Sequence, residues 1–143
     1  MRARGLEIVA AGLLFAAPAC AAEVQIGDAW IRALPAPSPS GGYFTMRNTG
    51  RNDITLTRAK SPACGMLMLH RSKETGGMST MEDVSGVPVP AGGEIRFAPG
   101  GFHLMCMGPT AAVKPGGSIA VTFEFSDRSE ATANFAVKNA QGK

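Results

Sequence analysis

Between Gly101 and Gly108 the chain reads GFHLMCMG, which places one histidine, two methionines and one cysteine within five consecutive positions. A second stretch, CGMLMLH from Cys64 to His70, has the same make-up. Side chains alternate between the two faces of a strand. As strands, the two stretches put His103, Met105 and Met107 on one face, and Cys64, Met66, Met68 and His70 on one face. Leu67, Leu69, Leu104 and Cys106 fall on the opposite, core-facing side. The chain's two histidines and six of its eight methionines (Met66, Met68, Met78, Met81, Met105, Met107) all lie between positions 66 and 107. Methionine is ordinarily a filler of core gaps, and a lone histidine on a strand is ordinarily a surface polar residue. Two strands that each carry a histidine and thioethers on the face away from the leucines are not explained by packing. Thioether and imidazole together suit Cu(I), whereas Zn(II) sites favour imidazole, carboxylate and thiolate. Methionine is also neutral and, unlike a free thiolate, is a sensible soft donor in an oxidising compartment.

The elements that would carry these donors are strands throughout. Period-two alternation is clear in Ile54 and Leu56 against Thr55 and Thr57, in Ile119, Val121, Phe123 and Phe125, and in Ala133, Phe135 and Val137. Pro- and Gly-rich turns separate them: PAPSPSGG, NTGRND, PVPAGG, APGG and KPGG. About eight or nine short strands at this spacing predict a β-sandwich or Greek-key barrel. Met46 reads as sheet packing, Trp30 as a core or rim aromatic, and Met78 as an exposed loop residue.

A chain of 143 residues with 45% hydrophobic content has room for one domain. Its net charge of +3 comes from scattered Lys and Arg, and its aromatic content is 6%, so no nucleic-acid footprint is present. The leader MRARGLEIVAAGLLFAAPACAA has two arginines, an apolar run and small residues at its end, which predicts a secretory signal peptide over residues 1–22. The run is shorter than the roughly 20 residues that span a bilayer, so no stable membrane insertion is expected. Cleavage is expected at Ala22/Glu23, with Ala19/Cys20 as the other candidate. Ala17, Pro18 and Ala19 lack the large aliphatic residue usual three positions before a lipidated cysteine, which weighs against a lipid on Cys20. Residues 23–138 would form the domain and 139–143 a flexible tail. Export places the protein in an oxidising space such as a bacterial periplasm.

Ten residues separate His70 from Met81, twenty-one separate Met81 from His103, and one separates His103 from Met105. At these spacings the sequence resembles the periplasmic copper chaperones of the PCu(A)C family, whose signature is H-x10-M-x21-H-x-M. The likeness extends through DAWIRALPAP, GGYFTMRNTG, GVPVPAGGEIRFAPGGFHLM and VTFEF. It implies a cupredoxin-like β-sandwich with an exposed Cu(I) site, the ligand set His70, Met81, His103 and Met105, and delivery of copper to the CuA centre of cytochrome c oxidase or to another periplasmic copper protein. A monomer is expected. Where many members carry a methionine soon after the first histidine, this chain has Arg71 and Ser72, and Cys64 and Cys106 look additional.

Three other readings compete. A blue-copper electron carrier needs two histidines and a cysteine with a weak axial methionine, but no histidine follows Cys106. A metal-free structural or adhesion sandwich would use the methionines for packing or for a partner. Copper storage and tolerance would use the same site without an acceptor. An enzyme is not expected, since there is no nucleophile motif and no convergent acid–base pair. The cysteines remain: two leftover cysteines in an oxidising compartment suggest a disulfide, yet strand parity sets Cys64 on the His70 face and Cys106 opposite His103. Parity therefore predicts free thiols, unless a bulge near Pro62 turns Cys64 inward.

Overall fold

The computed structural model describes residues 20–143; the predicted leader lies almost wholly outside them. Ten strands follow one another: β1 (Val24–Arg32), β2 (Ser40–Asn48), β3 (Ile54–Lys60), β4 (Cys64–Thr75), β5 (Met78–Asp83), β6 (Val87–Val89), β7 (Glu94–Phe97), β8 (Phe102–Pro109), β9 (Ser118–Phe125) and β10 (Glu130–Lys138). The described residues contain no helix. All strands belong to one sheet in the order β5-β4-β8-β7-β2-β1-β10-β9-β3-β6. A further pairing of β3 with β4, through Ala59 and Leu67, closes that sheet on itself. The count is ten rather than eight or nine because β6 and β7, three and four residues long, are too short to show an alternation.

Alternation does fix the inside of the closed sheet. Ile119, Val121, Phe123 and Phe125 of β9 are all buried, as are Phe135 and Val137 of β10. Phe44 sits at the centre, its ring centroid 4.4 Å from Phe97, 4.7 Å from Phe123 and 5.9 Å from Phe135. Each such side chain contributes about 1.5–3 kcal/mol on leaving water. Met46 is a fully buried core residue. Trp30 is a rim aromatic, tilted against Tyr43 at 4.7 Å. Residues 139–143 form a turn in which Asn139 Oδ1 accepts hydrogen bonds from the N–H groups of Gln141 and Lys143.

The cysteines correct the parity reading. Cys64 and Cys106 form a disulfide, with Cα atoms 5.4 Å apart. Cys106 faces the core as expected and is fully buried. Cys64 does not follow its strand: Ala63 and Cys64 are both buried and Gly65 and Met66 are both exposed, and strict alternation resumes only at Leu67. The break lies where β4 emerges from a turn, with Cys64 N–H donating to Ser61 C=O. Gly108 across the ladder has φ +58°, a left-handed conformation that favours glycine. Opposite it, a Cβ on Gly65 would stand 3.2 Å from the Met107 carbonyl oxygen. This close approach of two glycines lets the strand pair twist enough to turn Cys64 inward.

Candidate metal centre

β4 and β8 run antiparallel, and their register is set by the inward residues Leu67, Leu69, Leu104 and Cys106, all buried. A slip of one residue would expose all of them. The same register builds the outer face as a ladder in which Met66 lies opposite Met107, Met68 opposite Met105, and His70 opposite His103. Residues directly opposite have Cβ atoms about 4.5–5.5 Å apart. The two imidazole rings meet edge to face with centroids 5.6 Å apart.

On its other side β4 pairs with β5, where Ser72 lies opposite Met81 and His70 opposite Asp83. Ser72 and His70 share a face of β4, so Met81 comes to that face as the diagonal neighbour of His70. β4 is thus the middle strand. It carries His70 between Met81 on one side and His103 and Met105 on the other. Met81, His103 and Met105 line one cavity of about 290 Å³ together with Arg32, Tyr43 and Ser72. His70 does not line that cavity; its link to the other three is the strand register.

The outer face is not open at this point. His103 was expected to lie clear of the core, but only 4% of its surface is exposed. Leu34 and Pro39 from the β1–β2 connection and Pro99 and Gly100 from the turn before β8 line the same cavity. Met81, by contrast, is 61% exposed.

Burial makes the imidazole nitrogens informative. Nδ1 of His103 lies 3.2 Å from the Gly101 carbonyl. A carbonyl oxygen can only accept, so this contact places the ring proton on Nδ1 and leaves Nε2 with a lone pair, as in a metal-ready histidine. That Nε2 is buried and has no partner. Asp83 Oδ1 comes within 2.7 Å of His70 Nε2, which gives that nitrogen a carboxylate neighbour and leaves Nδ1, buried and without a hydrogen bond, as the orphan of this ring. Two orphaned buried nitrogens, His70 Nδ1 and His103 Nε2, on rings that lie opposite each other are costly unless a ligand takes them up. Among the described residues no three His, Cys, Asp or Glu side chains converge. The other donors beside the two imidazoles on this face are thioethers, which suit a soft ion. Arg32 in the cavity wall adds a fixed positive charge, unfavourable to a doubly charged ion more than to a singly charged one.

Sequence reasoning missed Asp83. Its signal was its place two residues after Met81, hence on the same face of β5. Arg32 was missed too; its guanidinium stacks over Trp30, two residues before it on β1, and over Tyr43 of β2, at 5.4 and 5.7 Å.

The family described as "Putative lipoprotein LpqE-like" matches residues 24–137. The chain belongs to the LpqE-like family. A relative of this LpqE-like protein from Leifsonia xyli subsp. xyli, described as "Putative lipoprotein Lxx21020", is 35% identical over 120 residues, covering 83% of this chain and 72% of its own. Among solved structures, the copper-bound PCuAC domain from PmoF2 superposes with a TM-score of 0.67 at 20% identity, over 84% of this chain and 96% of that one. The solution structure of CuI-DR1885 from Deinococcus radiodurans gives 0.64 at 28% identity, over 90% and 83%. The LpqE-like chain therefore has the fold of PCuAC domains, as its resemblance to the PCu(A)C family implied.

Proposed function

We propose that the protein is an exported Cu(I) metallochaperone that holds its cargo through His70, Met81, His103 and Met105. The observation that carries this reading is the pair of buried, unpartnered imidazole nitrogens on two rings that lie opposite each other in the ladder, beside thioethers. The copper named in the descriptions of PmoF2 and DR1885 supports it. The Gly101 carbonyl orients His103 so that Nε2 points its lone pair away from the backbone. Asp83 holds the ring of His70 from the β5 side. Neutral donors and the neighbouring Arg32 favour Cu(I) over Cu(II). Met81, the most exposed of the four, gives an acceptor a point of entry, and stepwise ligand exchange passes copper on without releasing it to water. The acceptor is the CuA-bearing subunit of cytochrome c oxidase or another copper protein of the same compartment.

In this reading the chain is a periplasmic or envelope protein with a cupredoxin-like domain over residues 23–138. The Cys64–Cys106 bond accords with an oxidising compartment. The lipoprotein description of the family favours one alternative for the leader: processing before the exposed, free Cys20 with a lipid on its thiol. The mass of the processed protein separates that from cleavage at Ala22/Glu23.

Titration with Cu(I) and Cu(II), followed by X-ray absorption on the loaded protein, tests the assignment. One tightly held Cu(I) with mixed nitrogen and sulfur neighbours is expected. A shell of nitrogen and oxygen alone, or preferential uptake of zinc, overturns it.

A further inference from the structure

The donors of the proposed site do not exhaust the soft ligands on this face. Beyond the His70–His103 rung and Met105, the β4–β8 ladder continues through Met68 to the Met66–Met107 rung. Met66 is 58% and Met107 38% exposed, and Met68 is half-buried. Among the described residues the exposed large apolar side chains are Leu34, Met66, Met78, Met81 and Met107. Four of the five are thioethers, and two of those four face each other across one rung. Packing does not require this, because Leu67, Leu69, Leu104 and Cys106 already close the core beneath them.

We infer that Met66, Met68 and Met107 form a second soft-cation site, for Cu(I) or Ag(I), next to the first and weaker than it. Met66 and Met107 lie directly opposite, with Cβ atoms about 4.5–5.5 Å apart, and Met68 is the diagonal neighbour of Met107, within reach of a long side chain. Three rotatable bonds allow each sulfur to turn toward a common ion. Three neutral thioethers suit a singly charged soft ion and offer nothing to Zn(II) or Cu(II). The glycines at the end of the ladder, Gly65 and Gly108, carry no side chain to cover the patch. The disulfide below it ties β4 to β8, so the rungs keep their spacing without metal. The site uses none of His70, Met81, His103 and Met105, and it adjoins that set where Met68 lies opposite Met105.

The test is titration of the purified protein with Ag(I), which is redox-silent, following the methionine methyl signals by NMR and the bound equivalents by mass spectrometry. Two equivalents are expected, the second shifting the methyl signals of Met66, Met68 and Met107. The variant Met66→Leu/Met68→Leu/Met107→Leu keeps the apolar volume and should bind one equivalent fewer than the parent. His70→Ala/His103→Ala should lose the other equivalent and keep the three methyl shifts. The inference is overturned if the triple variant binds as much Ag(I) as the parent, or if the second equivalent disappears with Met78→Leu instead. Loss of the first site alone would count against the proposed function and leave this one standing.

Discussion

Replacing both bonded cysteines, as Cys64→Ala/Cys106→Ala, removes the covalent tie between the two strands of the ladder. The bond closes a sequence separation of 42 residues. The chain-entropy relation gives about 4 kcal/mol for a loop of that length, between the roughly 3 kcal/mol of a 15-residue loop and 4.7 kcal/mol of a 100-residue one. Loss of two buried sulfurs adds a packing cost, since Cys106 is wholly and Cys64 almost wholly enclosed. Against a typical domain stability of about 5–15 kcal/mol, the variant should lose a third or more of its margin. Urea unfolding of parent and variant, followed by tryptophan fluorescence of Trp30, should show the midpoint falling and the slope rising, because the denatured chain without its cross-link exposes more surface. Cu(I) affinity should fall as well, because register alone then holds His70 opposite His103. A stability loss below about 1 kcal/mol would refute the reasoning. So would thiol counting on denatured, unreduced protein that finds Cys64 and Cys106 free.

Leu104→Ala, at a position 1% exposed, should cost about 2–5 kcal/mol while leaving the copper stoichiometry unchanged, as read by denaturant titration and metal analysis. Met105→Ala should do the reverse, weakening Cu(I) binding in a competition assay with a small change in midpoint. Asp83→Asn should weaken Cu(I) binding by roughly 10–100-fold, the usual effect of losing a partner that orients a metal-binding histidine, with the nitrogen and sulfur count in X-ray absorption unchanged. The hydroxyl and N–H of Ser129 donate to Asp127 and hold its carboxyl below the ordinary carboxylate value. A depressed value in the folded state means stability that is present above about pH 4 and lost as pH falls through the folded value. Asp127→Asn should therefore melt below the parent near neutrality, by well under about 1 kcal/mol for so exposed a group, and the two melting curves should converge toward pH 2.

Alternation was informative wherever one face of a strand meets the core. β9 and β10 follow it, and so does β4 from Leu67 to His70. It failed where that condition fails. All six residues of β5 are exposed, so no hydrophobic period marked the strand, and Met81 was found by its distance from the histidines instead. At Cys64 the strand is still leaving a turn, and counting back from His70 crosses the break at Gly65. His103 was assigned to the right face, but it is buried there, and the cavity beside it is completed by Leu34, Pro39, Pro99 and Gly100, which arrive from other parts of the chain. A period of two reports which side a residue takes; it does not report what else folds over that side.

The β4–β5 hairpin is the edge of the sheet, and its outer strand has no buried side chain to anchor it. Its local opening therefore costs far less than global unfolding. With copper held as proposed, the donors differ in how firmly the fold grips them. His103 and Met105 belong to a strand paired on both sides, whereas Met81 rides on the part of the chain that frays first. Fraying of β5 would detach one ligand of four and expose a three-coordinate ion while the two histidines stay in place. Departure of the cargo is then timed by the breathing of a hairpin, so a cross-link between β4 and β5, or a stiffer two-residue turn such as Gly76→Asn, should lengthen the residence time of the metal and leave its coordination unchanged.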